Sequence, residues 1–161
     1  MIELIIAVFI FSILIVVAGG TLVSALSLQR RALNEKKVEE NGRFILELMT
    51  REIRIANPVV TGNSGSPPDF PFLTFDHPVN GRIIYSLSGG QVHREANGAD
   101  SVISNPDVEV TRLAFGIIGN DINDDRQPRV AIILRLRAGG SSQEAAILDL
   151  QTTVSQRVLS D

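Results

Sequence analysis

The chain has no cysteine. That excludes disulfide scaffolds, thiolate metal sites and a cysteine nucleophile, and it says nothing about compartment. Histidine is nearly as scarce. His77 and His93 lie in different segments, too few for a histidine-rich metal site or a catalytic triad. A positive charge surplus is also missing: the formal net charge is −3 over 161 residues and the pI is about 5.4, which does not describe a nucleic-acid binder. The composition therefore leans against an enzyme. Two local absences organise the rest. Residues 4–29 carry no charge, and no proline occurs before Pro58.

What is present is apolar and unevenly distributed. Hydrophobic residues make up 44% and charged residues 20%, too apolar for a disordered chain. The length suits one domain, or a smaller domain with an extension. Within LIIAVFIFSILIVVAGG, starting at Leu4, the one polar residue is Ser12. About 20 apolar residues span a bilayer core as a helix. A buried helix of a soluble core is the plain alternative, but a helix apolar on all faces is rare in so small a protein. A signal peptide needs a basic start and a shorter apolar region; here no basic residue precedes Arg30.

Beyond the apolar run the spacing becomes that of an amphipathic helix over residues 38–56. Val38, Gly42, Ile45, Met49, Ile53 and Ala56 form one stripe, widened by Phe44, Leu48 and Ile55. Glu40, Arg43, Glu47, Arg51 and Arg54 fall on the opposite side. Glu39–Arg43 and Glu47–Arg51 are i,i+4 pairs in the favourable orientation. Asn57-Pro58 ends the helix. Unbroken, it would run roughly 80 Å, with Gly19-Gly20 as its weak point.

Residues 57–71 read as a loop. The period then changes to two. Ile83, Tyr85 and Leu87 alternate with polar neighbours, Gly89-Gly90 turns the chain, and residues 91–96 return. Val108 and Val110 have one parity and Leu113, Phe115 and Ile117 the other, which predicts a bulge or break at Thr111-Arg112. Val130, Ile132, Leu134 and Leu136 form a further strand face. After a turn at Gly139-Gly140, Ala146, Leu148, Leu150, Thr152 and Val154 form the last one. Four or five such strands predict an antiparallel sheet. The expected fold class is α+β. A membrane-spanning half of the helix (residues 1–28) leads into an amphipathic half (29–56), and a sheet domain (57–161) packs on residues 38–56.

Glu3 heads the apolar segment. A carboxylate in a bilayer is costly and usually has a partner; on a first helical turn it also complements the helix dipole. MIELIIAV, from Met1 to Val8, resembles the N-terminus shared by type IV pilins, minor pilins and the pseudopilins of type II secretion. In that family a peptidase removes a short basic leader, the new N-terminal residue is methylated, and a glutamate follows shortly. Glu3 matches that glutamate, with Ile2 and Leu4 matching its usual neighbours. Residues 42–54, GRFILELMTREIR, resemble the helix of the larger, J-type minor pseudopilins and related minor pilins. LQTTVSQR, from Leu150, is similar to that group's closing strand.

The resemblance implies a pilin-like fold and a filament subunit in the bacterial inner membrane, its globular part outside the cytoplasm. The implied partners are other pilin or pseudopilin subunits, the membrane, and a prepilin peptidase during processing. It implies no cofactor. No direct nucleic-acid binding is expected from the charge balance, since residues 57–161 hold 8 arginines, no lysine and 12 acids. Glu3 is expected to pair with the N-terminal amine of an adjacent subunit. The register places the cleavage point two residues upstream of Met1, which implies a late-assigned start or a trimmed chain. Arg30, Arg31, Lys36 and Lys37 by themselves would put the C-terminal domain in the cytoplasm; the family's basic leader supplies the opposing charge.

Other candidates are weaker. Asp121, Asn123 and Asp125 alternate like the opening of a calcium loop, but Arg126 replaces the turn glycine and Ile132 stands where the bidentate glutamate would be. A polar hairpin loop between Ile118 and Arg129 is the plainer reading. His77 and His93 read as solvated surface residues. Ser24 and Ser27 read as bonding backbone carbonyls. Two function classes remain: a structural subunit of a secretion, pilus or DNA-uptake filament, or a single-pass membrane protein whose outer domain binds a ligand or partner. A membrane-anchored hydrolase has no supporting constellation.

Overall fold

The computed structural model describes residues 2–57, 60–61, 70–118, 128–140 and 144–156. Helix α1 (Ile2–Arg54) is a single run of 53 residues, about 80 Å long at 1.5 Å per residue. It passes through Gly19-Gly20 without a break. Its last turn carries Arg51 and Arg54, cations that favour the negative end of the helix dipole. Asn57, held before Pro58, turns out of the helix and donates its N–H to the Asp76 carbonyl (2.9 Å).

Among the described residues eight strands follow, in two antiparallel sheets rather than the one expected. β1 (Val60–Thr61), β2 (Phe72–His77), β3 (Gly81–Ser88), β4 (Gln91–Ala96) and β5 (Ala99–Val102) lie in sequence order in a five-stranded sheet. β6 (Glu109–Ile118), β7 (Arg129–Ala138) and β8 (Ala146–Ser155) make a three-stranded meander. The sheets meet where Phe70 bridges Phe115 and where the Val110 N–H donates to the Gly90 carbonyl (2.8 Å). The parity switch in β6 is a register irregularity between Val110 and Arg112. The strands missed from sequence are β1, β2 and β5. In β2 both faces are at least half covered along Phe72–Phe75, which blurs the alternation. All four residues of β5 are exposed, so it has no apolar face to detect. Its turn was visible: Asn97 (φ 51°) and Gly98 (φ 82°) are an Asn-Gly pair, the favoured two-residue hairpin with both positions left-handed.

The core lies between the distal half of α1 and the inner faces of the sheets. Val38, Gly42, Ile45, Met49, Ile53 and Ala56 are buried, and the helix packs mainly on β7 and β8. Gly42 sets the closest approach. A Cβ there would lie 2.6 Å from the Leu150 Cδ1 and 3.1 Å from the Leu136 Cδ1. Phe44 and Ile55, expected to widen the stripe, are exposed at 55% and 48%. They sit on its flank, beyond the reach of the sheet, while Leu46 packs against the core instead. Polar contacts carry the docking further toward the N-terminus than Val38. Asn34 Nδ2 donates to the Glu144 carbonyl (2.9 Å), Arg30 pairs with Glu144 (3.2 Å) and Lys37 with Asp107 (2.9 Å).

Two expectations about stability follow. Ile45, Met49 and Ile53 are fully buried, and truncating such a side chain to alanine costs about 2–5 kcal/mol out of a total of about 5–15 kcal/mol. In a chain starting at Gln29, Ile53→Ala should lower the melting temperature by several degrees, and the triple change should prevent folding. Arg43→Ala, Arg51→Ala and Arg54→Ala, on the exposed face, should each change stability by under about 1 kcal/mol. Thermal unfolding of the series checks the ranking; the reverse order would mean that the helix docks through its other face. The same chain without substitutions should be soluble and folded in detergent-free buffer, because every helix–sheet contact described above begins at or after Arg30. Aggregation on removing detergent, seen by light scattering, would misplace that boundary.

Candidate functional site

The proximal half of α1 is bare. Every described residue up to Leu26 is exposed, and the most apolar 18-residue window has no part buried inside the chain. The helix is long and apolar enough to cross a membrane. Three of its four hydroxyl groups donate within the helix: Ser12 to the Val8 carbonyl (2.7 Å), Thr21 to Ala18 (2.8 Å) and Ser27 to Ser24 (2.9 Å). Backbone groups are bonded within the helix as well. This half therefore presents almost no unmet polar atom, which is what an apolar surrounding requires. Ser24 takes part through its carbonyl rather than its hydroxyl.

Glu3 lies in the first turn of this bare segment and is exposed. It is the one ionisable side chain between Ile2 and Gln29. Ile45, Met49 and Ile53 lie at the other end of the same helix, in the core. One continuous helix keeps the two groups at opposite ends. Asp121, Asn123 and Asp125 lie outside the described residues. Among the described residues no group of three or more His, Asp or Glu could hold a metal ion.

Sequence reading missed a buried ionic cluster. Glu52 stands seven positions after Ile45 and three after Met49, on the helix face that the apolar stripe occupies, and is only 6% exposed. Arg94 grips it with two hydrogen bonds, Nε to Oε2 (3.1 Å) and Nη2 to Oε1 (2.7 Å), and the Tyr85 hydroxyl donates to Oε2. Tyr85 and Arg94 are direct neighbours across β3 and β4. The signal available in the sequence was the parity of Arg94, which is that of Val92 and not of the exposed face. Burial by itself would raise the Glu52 carboxyl; the hydrogen bonds from Arg94 and Tyr85 outweigh it and hold the group below its ordinary value. Burial and then the bond to Glu52 push the Tyr85 phenol far above its usual range. The bond to Glu52 raises the Arg94 guanidinium. A carboxylate kept ionised and fully occupied by donors is a poor general base, and the cluster acts as a latch between α1 and the five-stranded sheet.

The histidines also differ from expectation. His77 is buried, 7% exposed. Its Nδ1 accepts the N–H groups of Val79 (3.1 Å) and Asn80 (3.0 Å), closing the turn from β2 to β3, and Pro78 places the chain for that turn. His93 is partly covered and pairs with Asp100 on β5 (2.8 Å). Both have structural partners.

The latch predicts a pH dependence. Because the folded-state carboxyl of Glu52 is depressed, the unfolded chain takes up this proton first as pH falls. The contribution is whole above about pH 4.5, the ordinary value, and is lost as pH drops through the folded value. Glu52→Gln should therefore lower the melting temperature at neutral pH and flatten the acid limb of the melting curve against pH. Arg94→Ala, which strands the carboxylate, should cost about 3–5 kcal/mol. Parallel acid limbs for the wild type and Glu52→Gln would remove the latch from the stability of the fold.

No protein-family model, characterised protein or solved structure matches this chain, so what it does is argued from its own residues.

Proposed function

We propose that this chain is a structural subunit, a minor pilin or pseudopilin, of a membrane-associated filament of the type IV pilus or type II secretion kind. The observation that carries the reading is a single helix with two opposite surroundings. One face of its distal half is covered by the sheets, and its proximal half is apolar on every side with one carboxylate at its head. A lipid bilayer satisfies the proximal half before assembly. In a filament the apolar helices of neighbouring subunits replace the lipid. The α+β layout, a long helix followed by antiparallel sheets, accommodates the pilin-like fold that the resemblance implies.

Glu3 then has a defined task. Inside a bundle of apolar helices its charge requires a partner, and the N-terminal amine of an adjacent subunit supplies one. Attraction is stronger in that low-dielectric setting than at a surface, although desolvation offsets part of it. The gain is in axial register, since a misplaced subunit leaves a buried charge unpaired. The globular part lies outside the cytoplasm of the bacterial inner membrane on this reading, and a prepilin peptidase prepares the amine.

Glu3→Ala should leave the protein in the membrane fraction and reduce its filament-associated fraction by more than about tenfold, since removing one partner of a buried pair costs about 3–5 kcal/mol. Cell fractionation followed by recovery of sheared filaments measures both quantities. Undiminished incorporation of Glu3→Ala would end the pairing idea. A wild-type chain that stays in the membrane and never enters a filament would point instead to a single-pass anchored binding protein.

A further inference from the structure

The outward faces of the two sheets carry opposite charge. In the three-stranded sheet, residues paired in register across β6, β7 and β8 share a face. Val130, Ile132, Leu134 and Leu136 point into the core, so Arg129, Arg135 and Arg137 point out. Across from them lie Glu109 and Arg112 on β6 and Asp149 on β8. Four arginines stand against two carboxylates, a surplus of two positive charges among the described residues. In the five-stranded sheet Leu73, Phe75, Ile83, Tyr85 and Val92 point inward. Among the described residues the opposite face carries Asp76, Glu95 and Asp100, with Arg82 as its one arginine and His93, counted as neutral, bonded to Asp100, a surplus of two negative charges. Four of the eight arginines in residues 57–161 thus lie on one face of one sheet. Each face also exposes large apolar side chains beside its charges, Ile118 (61%) and Ile147 (65%) on the basic face and Val102 (46%) on the acidic face.

We infer that the basic outer face of the β6–β8 sheet docks on the acidic outer face of the β2–β5 sheet of a second copy of this chain. The equal and opposite surpluses on one molecule favour a second copy over a foreign polyanion, because the same chain supplies both halves of the contact. The faces are different surfaces, so the contact is heterologous and can repeat from copy to copy. The inference rests on the reading of the chain as a filament subunit and adds to it a specific contact outside the membrane. The apolar helices supply a non-directional attraction, and the charged faces orient one globular part against the next.

Charge inversion tests this on the full chain. Arg129→Glu with Arg137→Glu makes both outer faces acidic, and Asp76→Arg with Glu95→Arg makes both basic. Self-association is measured in neutral detergent at a fixed protein-to-detergent ratio by sedimentation equilibrium, at low and at high salt. The wild type should associate at least about tenfold more weakly at high salt, where exposed charges are screened. Each inverted variant alone should associate at least about tenfold more weakly than the wild type at low salt, and an equimolar mixture of the two should regain wild-type association. Association of either variant at wild-type strength, a mixture no stronger than its components, or a wild type that does not associate at all would each overturn the inference. If an inverted variant melts well below the wild type, Arg129→Gln with Arg137→Gln replaces it, with a smaller loss of association expected and an unchanged association counting against the contact. Glu3→Ala in the same assay separates the two readings. It should weaken association without changing its salt dependence, so salt-insensitive assembly that still depends on Glu3 would refute the sheet contact and leave the filament reading standing.

Discussion

The seam between the distal half of α1 and the sheets governs the position of every other part of the molecule. Gly42 lets the helix approach Leu136 and Leu150, and Ile45, Met49 and Ile53 fill the space behind it. Glu52 then locks the same turn to the other sheet through Arg94 and Tyr85. Apolar burial supplies most of the attraction, at about 25 cal/mol per Å². The latch adds direction, because a bidentate carboxylate–guanidinium pair tolerates little rotation. Sliding the helix along the sheet would expose apolar area and strand a buried charge together.

That seam has a consequence at the far end of the helix. α1 is continuous from Ile2 to Arg54, so fixing its last five turns fixes the direction in which residues 2–28 leave the globular part. The contacts of Arg30, Asn34 and Lys37 with Glu144 and Asp107 brace the rod where the apolar run ends. They are mostly exposed and contribute little stability each, but they fix the point at which the helix leaves the sheets.

The two sheets divide the remaining work. The three-stranded sheet carries the helix on its inner face, and β7 and β8, on which the helix mainly packs, hold the regular alternation this requires. The five-stranded sheet is closed by short turns with residues in left-handed conformations, at Gly89-Gly90 and Asn97-Gly98, and receives the latch. Their outward faces differ in charge sign because each sheet needs its apolar residues on only one side. The solvent side is thus free to take whatever charges suit its surroundings.

Much of this was legible in residue order. Helix α1, its buried stripe, the hairpin at Gly89-Gly90, the irregularity at Val110–Arg112 and the inner faces of β6, β7 and β8 all follow from local periodicity, because each depends on residues two to four positions apart. Glu3 stood out for the same reason, as a charge beside an uncharged run. What residue order could not decide depends on distant partners. Whether Phe44 and Ile55 are covered depends on how far the sheet extends beneath the helix. That Glu52 is buried depends on Arg94 and Tyr85 arriving from 42 and 33 positions away. His77 is 7% exposed because of what packs around it, and β5, exposed along its whole length, is recognisable as a strand only by its pairing with β4. Local pattern reports which residues need to be hidden; the tertiary structure decides what hides them, because burial is a property of the surfaces that meet.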